Sequence, residues 1–219
     1  MNLVFPPLYA IIDAALLKKT SELSFVEMMA ESGVELLQYR NKRASSRELF
    51  EASQSISATL SRLAKPGSYK PSFIVNDRAD IAVLANAQGV HVGQQDLNVE
   101  EARAIVGPDI LVGVSTHSLE QIDAADKTSA DYIAFGPIFP TSSKENPDPV
   151  VGLHLLREAR RHTQKPLVAI GGITLERAAE VFRAGADSLA VARDLIVAEN
   201  PAARAQLFLK EAARVRGES

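Results

Sequence analysis

Eight short apolar runs punctuate the chain: Leu8–Ile12, Val34–Tyr39, Ser72–Val75, Gly89–Val92, Ile110–Val114, Asp131–Phe135, Leu167–Ile170 and Asp187–Val191. Most are rich in Val, Ile and Leu and apolar throughout rather than alternating, the pattern of strands buried on both faces of a parallel sheet. Between them polar and apolar positions recur with helical spacing. Ser24–Ser32 places Phe25, Met28 and Met29 on one face, and Ser46–Leu63 places Leu49, Ile56, Leu60 and Leu63. Ala79–Ala87, Val99–Val106, Leu119–Ala125, Leu153–His162, Glu176–Ala184 and a final Ala202–Arg214 complete the set. Hydroxyls at Thr174 and Ser118 stand ahead of helices with acid in the first turn, as capping requires. Gly33, Gly89 and Gly185 stand where helices should stop.

Eight β–α alternations in 219 residues predict a single (β/α)8 (TIM) barrel with little decoration, residues 1–219 forming one domain. A doubly wound open sheet is the second choice. Against it, no Gly-x-Gly-x-x-Gly follows the first strand and no turn reads as a Walker loop. The stretch Lys65–Pro71 resembles a linker but falls on the helix-to-strand side, where a barrel carries surface connections.

Charge changes the picture little. With 24 basic and 27 acidic residues the net charge is −3, which disfavours a general nucleic-acid binder or an anionic-membrane partner. The absence of Cys matters more: it removes disulfides, thiolate nucleophiles and iron–sulfur ligation, and fits a cytoplasmic location. Met1–Pro7 has no basic or sustained apolar region of a secretory signal, and no run is long enough to span a membrane.

In a barrel, chemistry collects at the C-terminal ends of the strands, and the polar residues do so here. Asp77 and Asp96 each follow a strand, on neighbouring staves. Two carboxylates there suit Mg2+, which takes one or two carboxylates plus phosphate oxygens and water. A helix N-cap explains either residue equally well from position alone. Arg40, Lys42 and Lys144 would neutralise a polyphosphate if they converge on the mouth, whereas Arg43 and Arg47 read as solvated. Thr141, Ser142 and Ser143 beside Lys144 lie in a long loop ending near Gly152, which reads as a lid rather than a surface excursion. Gly171-Gly172 after strand seven, with Ala192-Arg193 after strand eight, matches the usual barrel phosphate site. His117 divides evenly between acid–base residue and helix cap. His91 reads as a packed side chain, His154 and His162 as helix-surface residues, and Tyr39 and Phe135 as candidate pocket walls.

Six segments in order carry a resemblance. They are Gln38-Tyr39-Arg40-Asn41-Lys42, Asn76-Asp77-Arg78, Gly89 through Leu97, Gly113-Val114-Ser115, Gly136 through Lys144, and Ala169 through Ile173. From about Leu8 to Leu195 the chain resembles the thiamine phosphate synthase family. The resemblance implies a (β/α)8 barrel that condenses 4-amino-2-methyl-5-(diphosphooxymethyl)pyrimidine with a thiazole (carboxylate) phosphate, releasing pyrophosphate. Carried over by motif, Asp77 and Asp96 hold Mg2+. Gln38, Arg40, Lys42, Asn76 and Lys144 contact the pyrimidine diphosphate, Ser115 lies close to the pyrimidine, and Tyr39 and Asn41 count among the substrate-binding residues, with Arg40, Lys42, Ser115 and Lys144 as the catalytic set. Thr141, Ser142, Ser143, Gly171, Gly172, Ala192 and Arg193 serve the thiazole phosphate. A homodimer is implied by the family alone. Two positions depart from the pattern: Arg193 replaces a small hydroxyl residue, and Asn41 an acidic one. A related thiazole tautomerase, with His117 as its acid–base residue, and a non-catalytic sensor of thiamine phosphate are the alternatives.

Overall fold

The computed structural model describes residues 5–64, 71–141 and 148–217. Eight parallel strands close into a barrel in sequence order: β1 (Leu8–Asp13), β2 (Leu36–Arg40), β3 (Ser72–Asn76), β4 (Gly89–Val92), β5 (Leu111–Thr116), β6 (Tyr132–Phe135), β7 (Leu167–Ala169) and β8 (Ser188–Val191). Strand β1 closes the ring by pairing with β8 through Leu8–Leu189, Tyr9–Ala190 and Ala10–Val191. The helices are α1 (Glu22–Glu31), α2 (Ser46–Leu63), α3 (Ala79–Leu84), α4 (Val99–Val106), α5 (Leu119–Asp126), α6 (Gly152–His162), α7 (Leu175–Arg183), α8 (Arg193–Ile196) and α9 (Pro201–Arg216). Among the described residues, no helix is long and apolar enough to cross a membrane.

Capping fixes several of these boundaries. Ser45 and Glu48 form a reciprocal capping box at α2, and Asn98 and Glu101 another at α4. Ser118 accepts from the Gln121 N–H, as expected, but Thr174 makes no hydrogen bond to the helix backbone. The stop of α3 differs from expectation: it falls at Leu84, and the residue beyond it in the left-handed region is Asn86, φ 52°, not Gly89. Asn tolerates that conformation because its short polar side chain bonds locally, so Gly89 is free to serve inside β4.

Two buried layers result. One lies between the sheet and the helices and includes Phe25, Met29, Leu37, Tyr39, Phe73 and Phe208. The other fills the barrel interior with Phe5, Tyr9, Leu36, Ile74, Tyr132, Ala134 and Val168. Large interior side chains face glycines. A Cβ on Gly113 would stand 2.0 Å from Cζ of Tyr132, and one on Gly89 would stand 2.4 Å from Cδ1 of Ile74. The interior is therefore packed at its base, and its open end is the strand C-terminal mouth.

Candidate active site

Four strands run further into the mouth than their apolar runs suggest, β3 among them, which continues to Asn76 opposite His91. Strand β1 continues to Asp13, β2 to Arg40 and β5 to Thr116, each held by its neighbours' ladders: Asp13 registers with Arg40, and Ser115 with Ala134. Ladder hydrogen bonds, indifferent to side-chain polarity, carry these strands beyond the apolar positions. Period-two alternation then sorts β2: Gln38 and Arg40 line the mouth, and Tyr39 does not.

The mouth holds a cavity of about 400 Å³. Its lining includes Asp13, Gln38, Arg40, Asn76, His91 and Ser115 on one side, and Thr141, Gly171, Gly172, Arg177, Ala192 and Arg193 on the other. Asp13, buried, accepts from Arg40 Nη1 at 2.6 Å and from the Ala15 N–H at 3.0 Å. The guanidinium is thereby fixed, and among the described residues its remaining donors have no partner.

Beneath the cavity a hydrogen-bonded chain crosses the barrel. Gln38 Nε2 donates to the Tyr9 hydroxyl at 2.7 Å. The Tyr9 and Tyr132 hydroxyls lie 2.9 Å apart, Tyr132 is 3.0 Å from His91 Nδ1, and His91 Nε2 is 2.9 Å from Ser115 Oγ. The Gln38 amide sets the polarity of the chain. With Tyr9 already accepting from it, every member is satisfied when Tyr9 donates to Tyr132, Tyr132 to His91 Nδ1, and His91 Nε2–H to Ser115. Ser115 is left with a hydroxyl hydrogen for the cavity. Burial pushes both tyrosine hydroxyls far above their ordinary pKa, so they stay protonated. Gln94 Nε2 adds a bond of 2.7 Å to the Ser115 carbonyl. His91, expected to be a packed side chain, is buried as such and is also a member of this chain.

At the rim, the carboxylates leave the helix caps to others. The residue flanking α3 is Arg78, without a side-chain cap, and α4 is capped by Asn98. Asp77 instead pairs with Lys42 Nζ at 2.9 Å. Its backbone sits at φ 64°, a strained position for a non-glycine residue, anchored by its N–H to the His91 carbonyl at 2.8 Å. Burial raises the Asp77 carboxyl above its ordinary value; Lys42 opposes the rise, and the neighbouring Asp96 carboxylate adds to it. Asp96 also accepts from the Gly93 N–H at 2.8 Å. Two adjoining carboxylates of which one resists ionisation fit a divalent cation, which would relieve both burial and mutual repulsion. Among the described residues no group of three or more potential metal ligands occurs, so such a cation would take its remaining oxygens from ligand or water.

On the opposite side Gly171 and Gly172 sit at φ 88° and 64°. A Cβ at Gly172 would stand 2.5 Å from the Pro140 carbonyl oxygen, so only glycine lets the β6–α6 and β7–α7 loops approach. Among the described residues, the N–H groups of Gly171, Gly172, Ala192 and Arg193 have no acceptor. Together they are ready donors for an anion.

Other expectations lie elsewhere. Tyr39 is packed between sheet and helices, its hydroxyl donating to Glu22 at 2.7 Å, and so is no pocket wall. Phe135 is likewise in that layer. Asn41 bonds the Tyr39 hydroxyl and the Arg43 N–H, outside the cavity lining. Ser142, Ser143 and Lys144 lie outside the described residues. His117 does not cap α5, since Ser118 does; its Nδ1 donates to the Gly136 carbonyl at 2.5 Å and its Nε2 is 3.3 Å from Asp148. Asp13 and Arg177 join the lining without any sequence motif to mark them. Asp13 carried a usable signal, the first polar residue after the run Leu8–Ile12; Arg177, inside an ordinary amphipathic helix, carried none.

A closed (β/α)8 barrel whose mouth pairs a carboxylate–lysine cluster with a glycine-lined anion cradle is the class that fold and site define. The sequence model of the family described as thiamine monophosphate synthase matches residues 8–195. The thiamine-phosphate synthase of Koribacter versatilis (strain Ellin345) is 50% identical over 213 residues, 95% of this chain and 97% of that one. That of Shouchella clausii (strain KSM-K16) is 43% identical over 188 residues, 84% and 87% of the two chains. Among solved structures, the thiamine phosphate pyrophosphorylase from Pyrococcus furiosus superposes with a TM-score of 0.84 at 33% identity, covering 95% of this chain and 96% of its own. The chain belongs to the thiamine monophosphate synthase family.

Proposed function

We propose that this barrel joins a pyrimidine diphosphate to a thiazole phosphate, giving thiamine phosphate and pyrophosphate, with Mg2+ as cofactor. The observation that carries the reading is the cluster of Lys42, Asp77 and Asp96 just past the C-terminal ends of β2, β3 and β4, outside the cavity lining itself but at the strand ends that give it Arg40 and Asn76, with the Gly171–Gly172 cradle among the same lining. It supplies both polarities that a metal-bound pyrophosphate requires. Asp77 and Asp96 would hold Mg2+, which offsets the charge developing on the departing pyrophosphate.

The chain's own groups divide the remaining work. Arg40, held by Asp13, presents a guanidinium fork to phosphate oxygens, and Lys42 and Lys144 present point charges. Asn76 lines the same side. Gln38 spends its amide N–H on Tyr9, which leaves its carbonyl to accept from the pyrimidine amino group. Ser115 donates its remaining hydrogen to a ring nitrogen. Both contacts orient the ring, and the Gln38 contact raises its electron density. The methylene–oxygen bond then breaks with its electron pair leaving on pyrophosphate, and the electron-rich ring supports the cation at the methylene carbon. The thiazole nitrogen captures that carbon and becomes quaternary. No proton moves and no protein nucleophile is needed, in keeping with a chain that has no Cys. Thr141, Ser142 and Ser143, with the amides of Gly171, Gly172, Ala192 and Arg193, receive the thiazole phosphate and hold its nitrogen in line.

The experiment is pyrophosphate release on mixing both substrates, with and without Mg2+, in wild type and Asp96→Ala. Metal-dependent release that collapses in the variant supports the reading. Release at full rate in a metal chelator refutes the cofactor assignment, and interconversion of thiazole isomers without release would move the chain to the tautomerase reading.

A further inference from the structure

Among the described residues, the cradle side of the mouth contains two arginines without a counter-ion. Arg40, Arg103, Arg160 and Arg204 pair with Asp13, Asp131, Asp187 and Asp194 at 2.6, 2.5, 2.6 and 2.9 Å. Arg177 and Arg193 also line the cavity, and among the described residues neither meets a carboxylate. The nearby Asp194 does not serve them: it accepts from Arg204 and from the Leu175 N–H. Arg177 is nonetheless held. Its Nη1 donates to the Gly172 carbonyl at 2.9 Å, and its guanidinium carbon lies 4.3 Å over the centre of the Phe139 ring. A half-buried guanidinium fixed on two sides and lacking an anion is a charge that the fold positions without neutralising.

Those two contacts use one N–H and one face of the fork and leave other N–H donors uncommitted. They also join α7 to the Gly171–Gly172 turn and to the start of the β6–α6 loop, which together form the anion cradle. A guanidinium already pinned loses little rotational freedom when it binds an oxyanion. We propose that Arg177, seconded by the exposed Arg193, is a specificity-determining residue that reads the phosphate of the thiazole substrate and distinguishes it from the unphosphorylated alcohol. The proposal rests on the synthase reading above.

The test compares kcat/KM for hydroxyethylthiazole phosphate with that for hydroxyethylthiazole itself, at saturating pyrimidine diphosphate. Wild type, Arg177→Met, which keeps the aliphatic stem, Arg177→Lys and Phe139→Leu are assayed in parallel. The preference for the phosphate should fall about tenfold to a hundredfold in Arg177→Met, the size expected for one charge-assisted contact, and the loss should lie in KM for the phosphate. Arg177→Lys restores part of it, and Phe139→Leu, which keeps the charge but removes its platform, shows a smaller drop in the same direction. Calorimetric binding of hydroxyethylthiazole phosphate reports the same loss without turnover. A preference unchanged in all three variants, even with both rates lowered, makes Arg177 merely structural and overturns the proposal. Wild-type protein that makes no thiamine product from either thiazole overturns the synthase reading instead, a result distinct from the first.

Discussion

Replacing Tyr132 by Phe removes one oxygen from the middle of the barrel and little else. The ring's packing survives: its tilted contact with Phe5 (centroids 5.1 Å apart), its edge contact with Tyr9 (6.0 Å) and its stack on His91 (5.5 Å) need no hydroxyl. The clearance over Gly113 is also kept. Two partners are lost, the Tyr9 hydroxyl at 2.9 Å and His91 Nδ1 at 3.0 Å, both on buried residues at the floor of the cavity. A buried polar group left without a partner costs about 1–3 kcal/mol, so the pair amounts to about 2–5 kcal/mol after partial relaxation. For a domain of this length, about 2–4 °C per kcal/mol places the fall in Tm at roughly 4–20 °C. Equilibrium unfolding in urea, with an unchanged slope, is the assay. A double-mutant cycle with Tyr9→Phe should reveal coupling, because each hydroxyl satisfies the other. The same change frees His91 to turn, removes the fixed donor behind Ser115, and should raise KM for the pyrimidine diphosphate more than for the thiazole phosphate. A loss below about 0.5 kcal/mol, in the range of an ordinary surface substitution, or an absence of coupling, would refute the directed chain.

Three further outcomes are expected. Asp77 has a folded-state pKa above its ordinary 3.8, so its contribution to stability is full below that value and is lost as pH rises through the folded pKa. Metal-free Asp77→Asn should therefore match wild type in acid and exceed it at neutral pH, by about 1–4 °C in Tm; added Mg2+ should raise Tm in wild type and not in the variant, and a variant less stable at neutral pH contradicts the assignment. Gly172→Ala must either move the Pro140 carbonyl, 2.5 Å from the new Cβ, or distort its own φ of 64°, whereas Gly217→Ala, left-handed at φ 73° and ψ 21°, meets nothing within 4 Å. The second should cost only about 1 kcal/mol, the first clearly more, with raised KM for thiazole phosphate; equal costs by urea titration would negate the close approach. Asp13→Asn keeps the shape but removes the charge from the 2.6 Å contact with Arg40. Affinity for inorganic pyrophosphate should fall about tenfold, and unchanged calorimetric binding would separate Asp13 from the site.

The barrel was legible because strands buried on both faces write themselves as unbroken apolar runs, and the starts of α2 and α4 because Ser46 and Val99 follow capping residues. The strand ends were less legible. Asp13, Asn76 and Ser115 belong to ladders, and ladder hydrogen bonds ignore side-chain polarity. Within the runs, apolar composition on both faces hides which side chains look inward: Tyr39, a candidate pocket wall by sequence, faces the helices, whereas Tyr9 and Tyr132 face the barrel interior. Their bond links residues 123 positions apart, which no local pattern encodes. At the site, residue type and strand-end position sufficed for Gln38, Arg40, Asn76, Ser115 and the glycine pair, all of which line the cavity. For Asp77 and Asp96 position leaves cap and metal level; neither caps a helix, since α3 has no side-chain cap and Asn98 caps α4, a fact only the helix termini supply. Arg177 was invisible because its importance lies in Phe139 and Gly172, brought to it by the fold.

The most direct measurement of the central claim is the product itself. Purified wild-type protein is incubated with pyrimidine diphosphate, thiazole phosphate and Mg2+, and both thiamine phosphate, by mass spectrometry, and pyrophosphate are followed with time. The two should appear in equal amounts, and omitting either substrate should abolish both. Pyrophosphate formed without the thiazole, or folded protein that forms no thiamine phosphate, would contradict that claim.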